Sequence, residues 1–170
     1  MKAYIVNGAP YSGKTTFELL CKEELGAERC KIYSTIDRVK EIATLCEWNG
    51  EKNNKSRKFL SDLKDLLTEY NNLPFRYILT QVNQDIVNAP DCIFFIDCRE
   101  PDEIDKLKDA LNAKTILITR KDVENTDWDN HADSEVFNYA YDYVIENDGP
   151  LSLLKETINT LSFEEGWIQF

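Results

Sequence analysis

The chain alternates between short runs of β-forming apolar residues and longer stretches in which apolar residues recur at helical spacing. Short β-branched and aromatic runs favour buried strands, whereas apolar residues three or four positions apart share one face of a helix. Because the two patterns alternate, the sequence predicts an α/β fold with a parallel sheet and helices on both faces. The predicted strands are Lys2–Val6, Lys31–Ser34, Cys92–Asp97, Lys114–Thr119 and Tyr141–Ile145.

The longest helical region, about residues 35–88, lies between the second and third predicted strands. Its first helix is expected to begin after Ser34 or Thr35, either of which would supply a capping hydroxyl. A polar stretch, WNGEKNNKSRK, interrupts the helical spacing, which then resumes from Phe59 to Tyr70 and again from Phe75 to Ile86. The pattern therefore predicts an insertion of two or three helices over the sheet.

The second half of the chain has fewer elements. Apolar spacing predicts helices over Glu103–Leu111 and Leu151–Leu161. Residues 121–134, KDVENTDWDNHADS, have no clear period, and we expect them to form a lid. The closing segment SFEEGWIQF would either pack on the core or mediate a dimer. No repeat or change in composition divides the chain, so we expect a single domain over residues 1–170.

The net charge narrows the classes of function. The 170 residues carry a formal charge of −11 at pH 7, whereas proteins that bind nucleic acid generally present a basic surface. No apolar run approaches the length of a membrane span. The five cysteines are an odd number without a CxxC pair, and no charged-then-apolar signal segment opens the chain. We therefore expect a cytoplasmic protein that binds neither nucleic acid nor membranes.

One motif, NGAPYSGKTT, supplies candidate chemistry because it contains the phosphate-loop signature GxxxxGK[ST] without a mismatch. Its two glycines let backbone N–H groups approach phosphate oxygens, and the helix that follows adds the positive end of its dipole. Lys14 would reach the β and γ phosphates of a nucleotide, and Thr15 would bind Mg²⁺. The expected donor-site residues are Gly8, Ser12, Gly13, Lys14, Thr15 and Thr16.

Polar residues at the ends of other strands are candidates for the acceptor side, because open parallel sheets bind ligands beyond the carboxyl ends of their strands. Asp97 ends the apolar run CIFFID, where an acidic group would support Mg²⁺ or orient an acceptor. Arg99 follows two residues later, and its planar guanidinium suits an acceptor phosphate. Ser34, at the end of the second predicted strand, is a third expected acceptor-site residue.

Three further arginines and the single histidine carry weaker signals. Arg57 and Arg76, in the insertion, would clamp the phosphate of an acceptor, although each alone is more typical of a solvated charge. Arg120, immediately after the fourth predicted strand, would neutralise charge that develops on the transferring phosphoryl group. His131 lies in the expected lid, where a polar surface role is the simpler interpretation.

Four stretches together resemble the nucleoside monophosphate kinases, a group of phosphate-loop kinases, and most closely the bacteriophage-type deoxynucleoside monophosphate kinases. They are GAPYSGKTT, FFIDCREPDEIDKLK, NHADSE and YDYVIENDGPLSLLKETI, in the family's order over nearly the whole chain. The phosphate loop is common to many enzymes, whereas DCREPDE and the END turn are narrower signals. The family's His-x-Ser-Glu is met here with one extra residue between His131 and Ser134, which leaves the role of His131 open.

The resemblance implies a three-layer P-loop NTPase fold with a five-stranded parallel core, a helical acceptor-binding insertion and a lid. It implies ATP as the phosphoryl donor, Mg²⁺ as cofactor and a (deoxy)nucleoside monophosphate as the small-molecule acceptor. The site residues that it implies are Lys14 and Thr15 for donor phosphates and metal, Asp97 and Arg99 for the acceptor, Arg120 in the lid, Arg57 over the acceptor pocket and Asn147 near the donor base.

Other functions use the same core. A kinase for another small phosphorylated or hydroxylated metabolite fits the motifs, because the fold alone does not determine the acceptor. A regulatory subunit that binds a nucleotide without turnover is a second alternative, although it would not need the full set of phosphate-loop and strand-end residues. A GTPase-like switch is disfavoured, since TRKD has arginine where a guanine-reading motif needs lysine.

Overall fold

The five predicted strands form one parallel sheet in the computed structural model, which describes residues 1–124 and 136–168. They are β1 (Lys2–Asn7), β2 (Cys30–Ser34), β3 (Ile93–Asp97), β4 (Lys114–Thr119) and β5 (Tyr143–Glu146). Their order across the sheet is β2-β3-β1-β4-β5. The chain therefore places β2 and β3 on one side of β1 and then β4 and β5 on the other. Open parallel sheets bind ligands at such a switch point, beyond the carboxyl ends of the strands.

Helices cover both faces of the sheet. They are α1 (Lys14–Leu25), α2 (Asp37–Leu45), α3 (Asn54–Asn71), α4 (Leu73–Asn88), α5 (Pro101–Leu111), α6 (Lys121–Glu124) and α7 (Leu151–Glu164), with a short 3₁₀ turn at Val136–Asn138. Side chains of α1 and α7 pack on one face, and those of α4 and α5 pack on the other. The predicted three-layer arrangement is confirmed. None of the helices in the described ranges combines the length and the apolar character needed to cross a bilayer.

Alternate residues of β1 face two separate cores, as the pleat of a strand requires. Tyr4 and Val6 pack with α1 and α7, whereas Ala3 and Ile5 pack with α4 and α5. All four side chains are buried, which is typical of a parallel strand that is covered on both faces. Four of the five cysteines are buried thiols in the same two cores, so they act there as small apolar side chains.

The insertion between β2 and β3 consists of three helices, α2, α3 and α4, which pack against one another. The predicted hydroxyl cap of α2 is wrong, because the helix begins at Asp37 and its N-cap is Ile36. Ser34 donates its backbone N–H to the Asp37 carboxylate at 2.7 Å, and the Thr35 N–H donates to Asp97 O at 3.1 Å. These two bonds hold the segment against the end of the sheet, so the helix begins later.

Two other element boundaries differ from the prediction for local reasons. The last strand begins at Tyr143, because the backbone N–H of the preceding Asp142 donates to the Thr115 hydroxyl at 2.9 Å and does not join the strand pairing. Helix α5 begins at Pro101, since the ring of proline suits the first turn of a helix. The expected lid opens with α6, and the rest of it, including His131, lies outside the described residues.

The closing segment packs on the core through Trp167, whose side chain is fully buried. Its indole lies edge-on to the rings of Tyr4 and Phe95, with centroids 4.9 and 5.4 Å away, and its Nε1–H donates to the Tyr4 hydroxyl at 2.6 Å. Arg29 donates to the Trp167 carbonyl at 2.9 Å. Core packing is therefore the role of this tryptophan.

Replacing Trp167 by alanine is expected to lower the free energy of unfolding by about 3–5 kcal/mol, because a buried aromatic ring is removed from contact with two others. Urea unfolding would measure the loss. Phe163→Ala, at a position 71% exposed in α7, is the matched control and should change the free energy by no more than about 0.5 kcal/mol. Equal small losses in both variants would contradict the packing role of Trp167.

Candidate functional site

The loop between β1 and α1, residues 8–13, is held by its own backbone and by Asn7. The Gly8 N–H donates to the Asn7 side-chain oxygen at 2.8 Å, and the Ser12 N–H donates to Ala9 O at 3.1 Å. Gly13 then forms the N-cap of the twelve-residue helix α1. The first N–H groups of a helix have no partner within the helix, so this end of α1 offers donors and a positive dipole to an anion.

Gly13 occupies a position that requires glycine. Its φ is +103°, and a Cβ at this residue would lie 2.1 Å from the side-chain nitrogen of Asn147. That nitrogen donates to the Ser12 carbonyl at 2.9 Å, and the Asn147 backbone N–H donates to Thr119 O at 2.9 Å. The resemblance places Asn147 near a donor base. In the structure its amide supports the phosphate loop from the end of β5.

Lys14 and Thr15 begin α1, one residue after the turn at Gly13. The Lys14 ammonium donates to the carbonyls of Gly8 and Ala9, at 2.5 and 3.4 Å. The hydroxyl-bearing Thr15 and Thr16 are exposed in the first turn, whereas Ser12 is 1% exposed. The Ser12 hydroxyl oxygen has no hydrogen-bond partner within the described ranges.

The expected acceptor residues at the end of β3 lie beside this loop. Asp97 pairs in register with Val6 of β1 and with Ser34 of β2, so all three strands end together. Asn7 donates its side-chain N–H to Arg99 O at 3.2 Å and to the Tyr141 hydroxyl at 2.8 Å. One buried amide thus joins the start of the phosphate loop to the Arg99 loop.

The buried carboxyl group of Glu18 lies at the same edge of the sheet, and it is not among the site residues that the sequence motifs predict. It is 3% exposed, one helical turn after Lys14, and its Oε1 has no hydrogen-bond partner among the residues that the structure describes. Burial, followed by repulsion from Asp97, raises the pKa of the Glu18 carboxyl from its ordinary 4.5 to about 9, while Lys14 opposes that shift. The available signal is the position of Glu18 on the apolar face of α1, next to Phe17 and Cys21.

The Asp97 carboxyl is in a comparable state. Its Oδ1 is buried and unpartnered within residues 1–124 and 136–168. Burial raises the pKa of Asp97, and the nearby charges of Lys14 and Arg99 offset only part of that effect. Titratable groups whose pKa values are strongly displaced concentrate at functional sites. The pair Glu18 and Asp97 therefore marks this edge of the sheet as the candidate site.

The other predicted arginines are less closely connected to the site. Arg57 and Arg76 are exposed on α3 and α4, and neither forms an ion pair with a described residue. The Arg120 side chain is 46% exposed and lies 3.8 Å from the Asp122 carboxylate, which is a surface ion pair. Of the four candidate arginines, Arg99 is connected to the start of the phosphate loop through its backbone, since its carbonyl accepts the hydrogen bond from the Asn7 side chain.

A buried ion-pair cluster ties the insertion to the Arg99 loop. The Lys64 ammonium, on α3, lies 2.5 Å from the Glu100 carboxylate and 2.7 Å from the Glu103 carboxylate, and Lys64 is 8% exposed. The Cys98 thiol donates to the same Glu103 oxygen at 3.3 Å. Cys98, Glu100 and Glu103 lie close enough together to resemble a metal site, but Lys64 already supplies their counter-charge.

The residues present fit ATP and Mg²⁺. Backbone N–H groups at the start of α1 suit phosphate oxygens, and the Asn147 amide, through its bond to the Ser12 carbonyl, holds the loop that leads to them. Magnesium prefers oxygen ligands and keeps several waters. The Thr15 hydroxyl and the unpartnered Asp97 oxygen are donors of that kind.

Solved structures with the same fold include small-molecule kinases. Shikimate kinase from Aquifex aeolicus vf5 is 16% identical with a TM-score of 0.52, covering 98% of each chain. A sugar kinase from Janibacter sp. HTCC2649 is 14% identical with a TM-score of 0.53, covering 100% of this chain and 99% of that one. Shikimate kinase from Bacteroides thetaiotaomicron is 11% identical with a TM-score of 0.50, covering 97% and 98%.

These likenesses show the fold, which is the three-layer α/β fold of the P-loop kinases. No protein-family model and no curated protein matches the sequence.

Without divalent cations, the stability of the fold is expected to fall as the pH rises through the range from about 4.5 to about 9. The native state holds the Glu18 proton more tightly than the unfolded state, so this group favours folding most at low pH, with a slope of up to about 1.4 kcal/mol per pH unit. The raised pKa of Asp97 acts in the same direction.

Urea unfolding in EDTA at several pH values would measure this slope. Glu18→Gln should flatten it, so that the variant exceeds the wild type in stability by a growing margin as the pH rises. Glu24→Gln, at an exposed position of the same helix, should leave the slope unchanged. Parallel curves for the wild type and Glu18→Gln would contradict the burial of an ionisable group at position 18.

Proposed function

We propose that the protein is a P-loop kinase that transfers the terminal phosphoryl group of ATP to the phosphate of a nucleoside or deoxynucleoside monophosphate. The observation that carries the proposal is the meeting of the phosphate loop with Asp97 and Arg99 at the carboxyl edge of the sheet. The helical insertion borders the same edge through Ser34 and the Lys64 cluster. Donor and acceptor groups would therefore approach each other at the switch point.

On the donor side, the first turn of α1 would bind the phosphates of ATP through backbone N–H groups, and Lys14 would place its charge against them. Magnesium, when bound by Thr15 and Asp97, neutralises charge on the transferring phosphates. The new bond forms between an acceptor oxygen and the γ phosphorus while the bond to the bridging oxygen breaks and ADP leaves. Positioning and charge stabilisation account for most of the catalysis.

A phosphate acceptor requires no general base, because it is already an anion at neutral pH. Its needs are positive charge and hydrogen-bond donors. Arg99 follows the end of β3, its charge acts on Asp97, and its backbone carbonyl is bonded to Asn7 at the start of the loop. Arg57 and Arg76, on helices of the insertion, have guanidinium groups that no described carboxylate holds. Closure of the insertion would bring such groups to the acceptor, and Arg120 would act from the lid.

A hydroxyl acceptor is the second candidate, and a specific observation favours it. Transfer to an alcohol releases a proton, and Asp97, partly exposed at the site with a raised pKa, is a suitable proton acceptor. The shikimate and sugar kinases that share the fold are named for hydroxylated substrates. The P-loop kinase proposal thus covers both acceptor classes, and the assay below separates them.

ADP release from ATP and Mg²⁺ should be measured against ribo- and deoxynucleoside monophosphates, hydroxylated carboxylic acids and sugars. We expect turnover with one class, and a loss of about 10²-fold or more in Lys14→Ala, because a charge that stabilises the transition state is removed. Lys22→Ala, at an exposed position on the same helix, should retain the activity.

The pattern of acceptors decides between the candidates. Turnover with nucleoside monophosphates alone supports the first, and turnover with hydroxylated compounds alone supports the second. ATP binding without turnover across the whole panel would contradict both and would indicate a regulatory nucleotide-binding protein.

A further inference from the structure

The carboxylate pair of Glu18, on α1, and Asp97, at the end of β3, stands on two segments that pack together. Phe95 and Asp97 share one face of β3, and Phe17 of α1 contacts Phe95 edge-on over that face, with ring centroids 5.8 Å apart. One oxygen of each carboxyl is buried without a hydrogen-bond donor among the described residues. Glu18 is 97% buried, being only 3% exposed. Buried polar atoms are nearly always paired in folded proteins, and an unpaired one at a candidate site indicates a ligand.

Charged groups of both signs surround the pair, but none of the described residues forms a hydrogen bond with the buried Oε1 of Glu18 or the buried Oδ1 of Asp97. Asp37 adds a third negative charge that acts on both carboxyls. The positive charges of Lys14, Arg99 and Lys40 favour the ionised form of Asp97. The Lys14 ammonium also donates to two carbonyls of the phosphate loop. The contrast within the same molecule is the buried Lys64 ammonium, which lies within hydrogen-bond distance of one oxygen of the partly exposed Glu100 and one oxygen of the buried Glu103.

Thr15 adds a third oxygen next to the pair. Thr15 and Glu18 are three residues apart on α1 and are therefore neighbours along the helix surface, with Thr15 at its exposed side and Glu18 at its buried side. The group then consists of a hydroxyl and two carboxyls, all with hard oxygen atoms. Such a donor set selects Mg²⁺ or Mn²⁺ over softer metals.

We propose that Glu18 and Asp97 bind a divalent cation together and that they do so before any nucleotide is present. Glu18 is the residue that adds this property, because its carboxylate supplies the second negative charge that a phosphate would otherwise provide. The role of this cation in catalysis rests on the proposed function. Cation binding itself does not require phosphoryl transfer and can be tested separately. In the kinase, the cation would be in place when ATP arrives.

Mn²⁺ binding to the nucleotide-free protein tests this directly, because the electron paramagnetic resonance signal of free Mn²⁺ falls as the ion binds. We expect one site that Mg²⁺ displaces, weakened by about 10- to 100-fold in Glu18→Gln and in Asp97→Asn. The matched control is Glu24→Gln, which removes the same charge from an exposed position of α1. It should bind Mn²⁺ as the wild type does.

Thermal unfolding gives a second readout that also checks the fold of each variant. In EDTA, Glu18→Gln should melt at a higher temperature than the wild type, because an unpaired buried carboxyl is gone. Added Mg²⁺ should raise the melting temperature of the wild type and of Glu24→Gln but not that of Glu18→Gln. A merely structural role for Glu18 would lower the melting temperature and leave the Mg²⁺ response intact.

The proposal is overturned if the wild type binds no Mn²⁺ without nucleotide, or if Glu18→Gln binds it as tightly as the wild type. Failure of the kinase proposal would give a different result. No ADP would be released, but the wild type would still bind Mn²⁺ and Glu18→Gln would still bind it more weakly.

Discussion

At Gly13 the backbone turns through a left-handed conformation so close to Asn147 that any side chain there would overlap its amide. That turn ends the phosphate loop and sets the direction of α1, and the positions of Lys14 and Thr15 follow from it. The sheet order then places the end of β3 beside the loop, because β1 pairs directly with β3. Asp97 reaches the loop through that pairing, without a long connecting segment.

The site and its surroundings treat buried charge in opposite ways. Lys64 is paired with Glu100 and Glu103, so its buried charge has counter-charges within hydrogen-bond distance, and these pairs connect the insertion to the Arg99 loop. Glu18 and Asp97 each keep an oxygen without a donor in the described parts of the chain. Unpartnered buried carboxyls destabilise the protein in the absence of a ligand, and a bound ligand would compensate for that cost. We therefore assign Glu18 and Asp97 to function and the Lys64 cluster to structure.

Much of the fold follows from local patterns that sequence reasoning handles well. The strands are short apolar runs, and the phosphate loop has a fixed spacing whose physical reason is known, so both could be predicted. Glu18 was missed because motif reasoning ends with the hydroxyl residues of the loop, and burial of a glutamate depends on which face of α1 meets the sheet. The docking of Trp167 depends on contacts with distant strands, which no local period contains.

The roles of the arginines could be predicted from the sequence only in part. Arg99 could be placed because it follows a strand whose end is fixed by the sheet. Arg57 and Arg76 lie on helices of an insertion, where the side that faces the acceptor depends on packing between helices and on closure. Their roles therefore remain predictions, as do those of Arg120 and of the lid residues.

The central claim is that the phosphoryl group moves from ATP to a small acceptor at this site. Phosphorus NMR of the protein with ATP, Mg²⁺ and a mixture of nucleoside monophosphates tests it most directly, because diphosphates, phosphate esters and inorganic phosphate give separate signals. The account predicts that two diphosphate molecules form for each γ phosphate that ATP loses, because ADP and a new nucleoside diphosphate are made together. An unchanged ATP spectrum would contradict it, and so would ADP and inorganic phosphate as the only products when hydroxylated acceptors are also present.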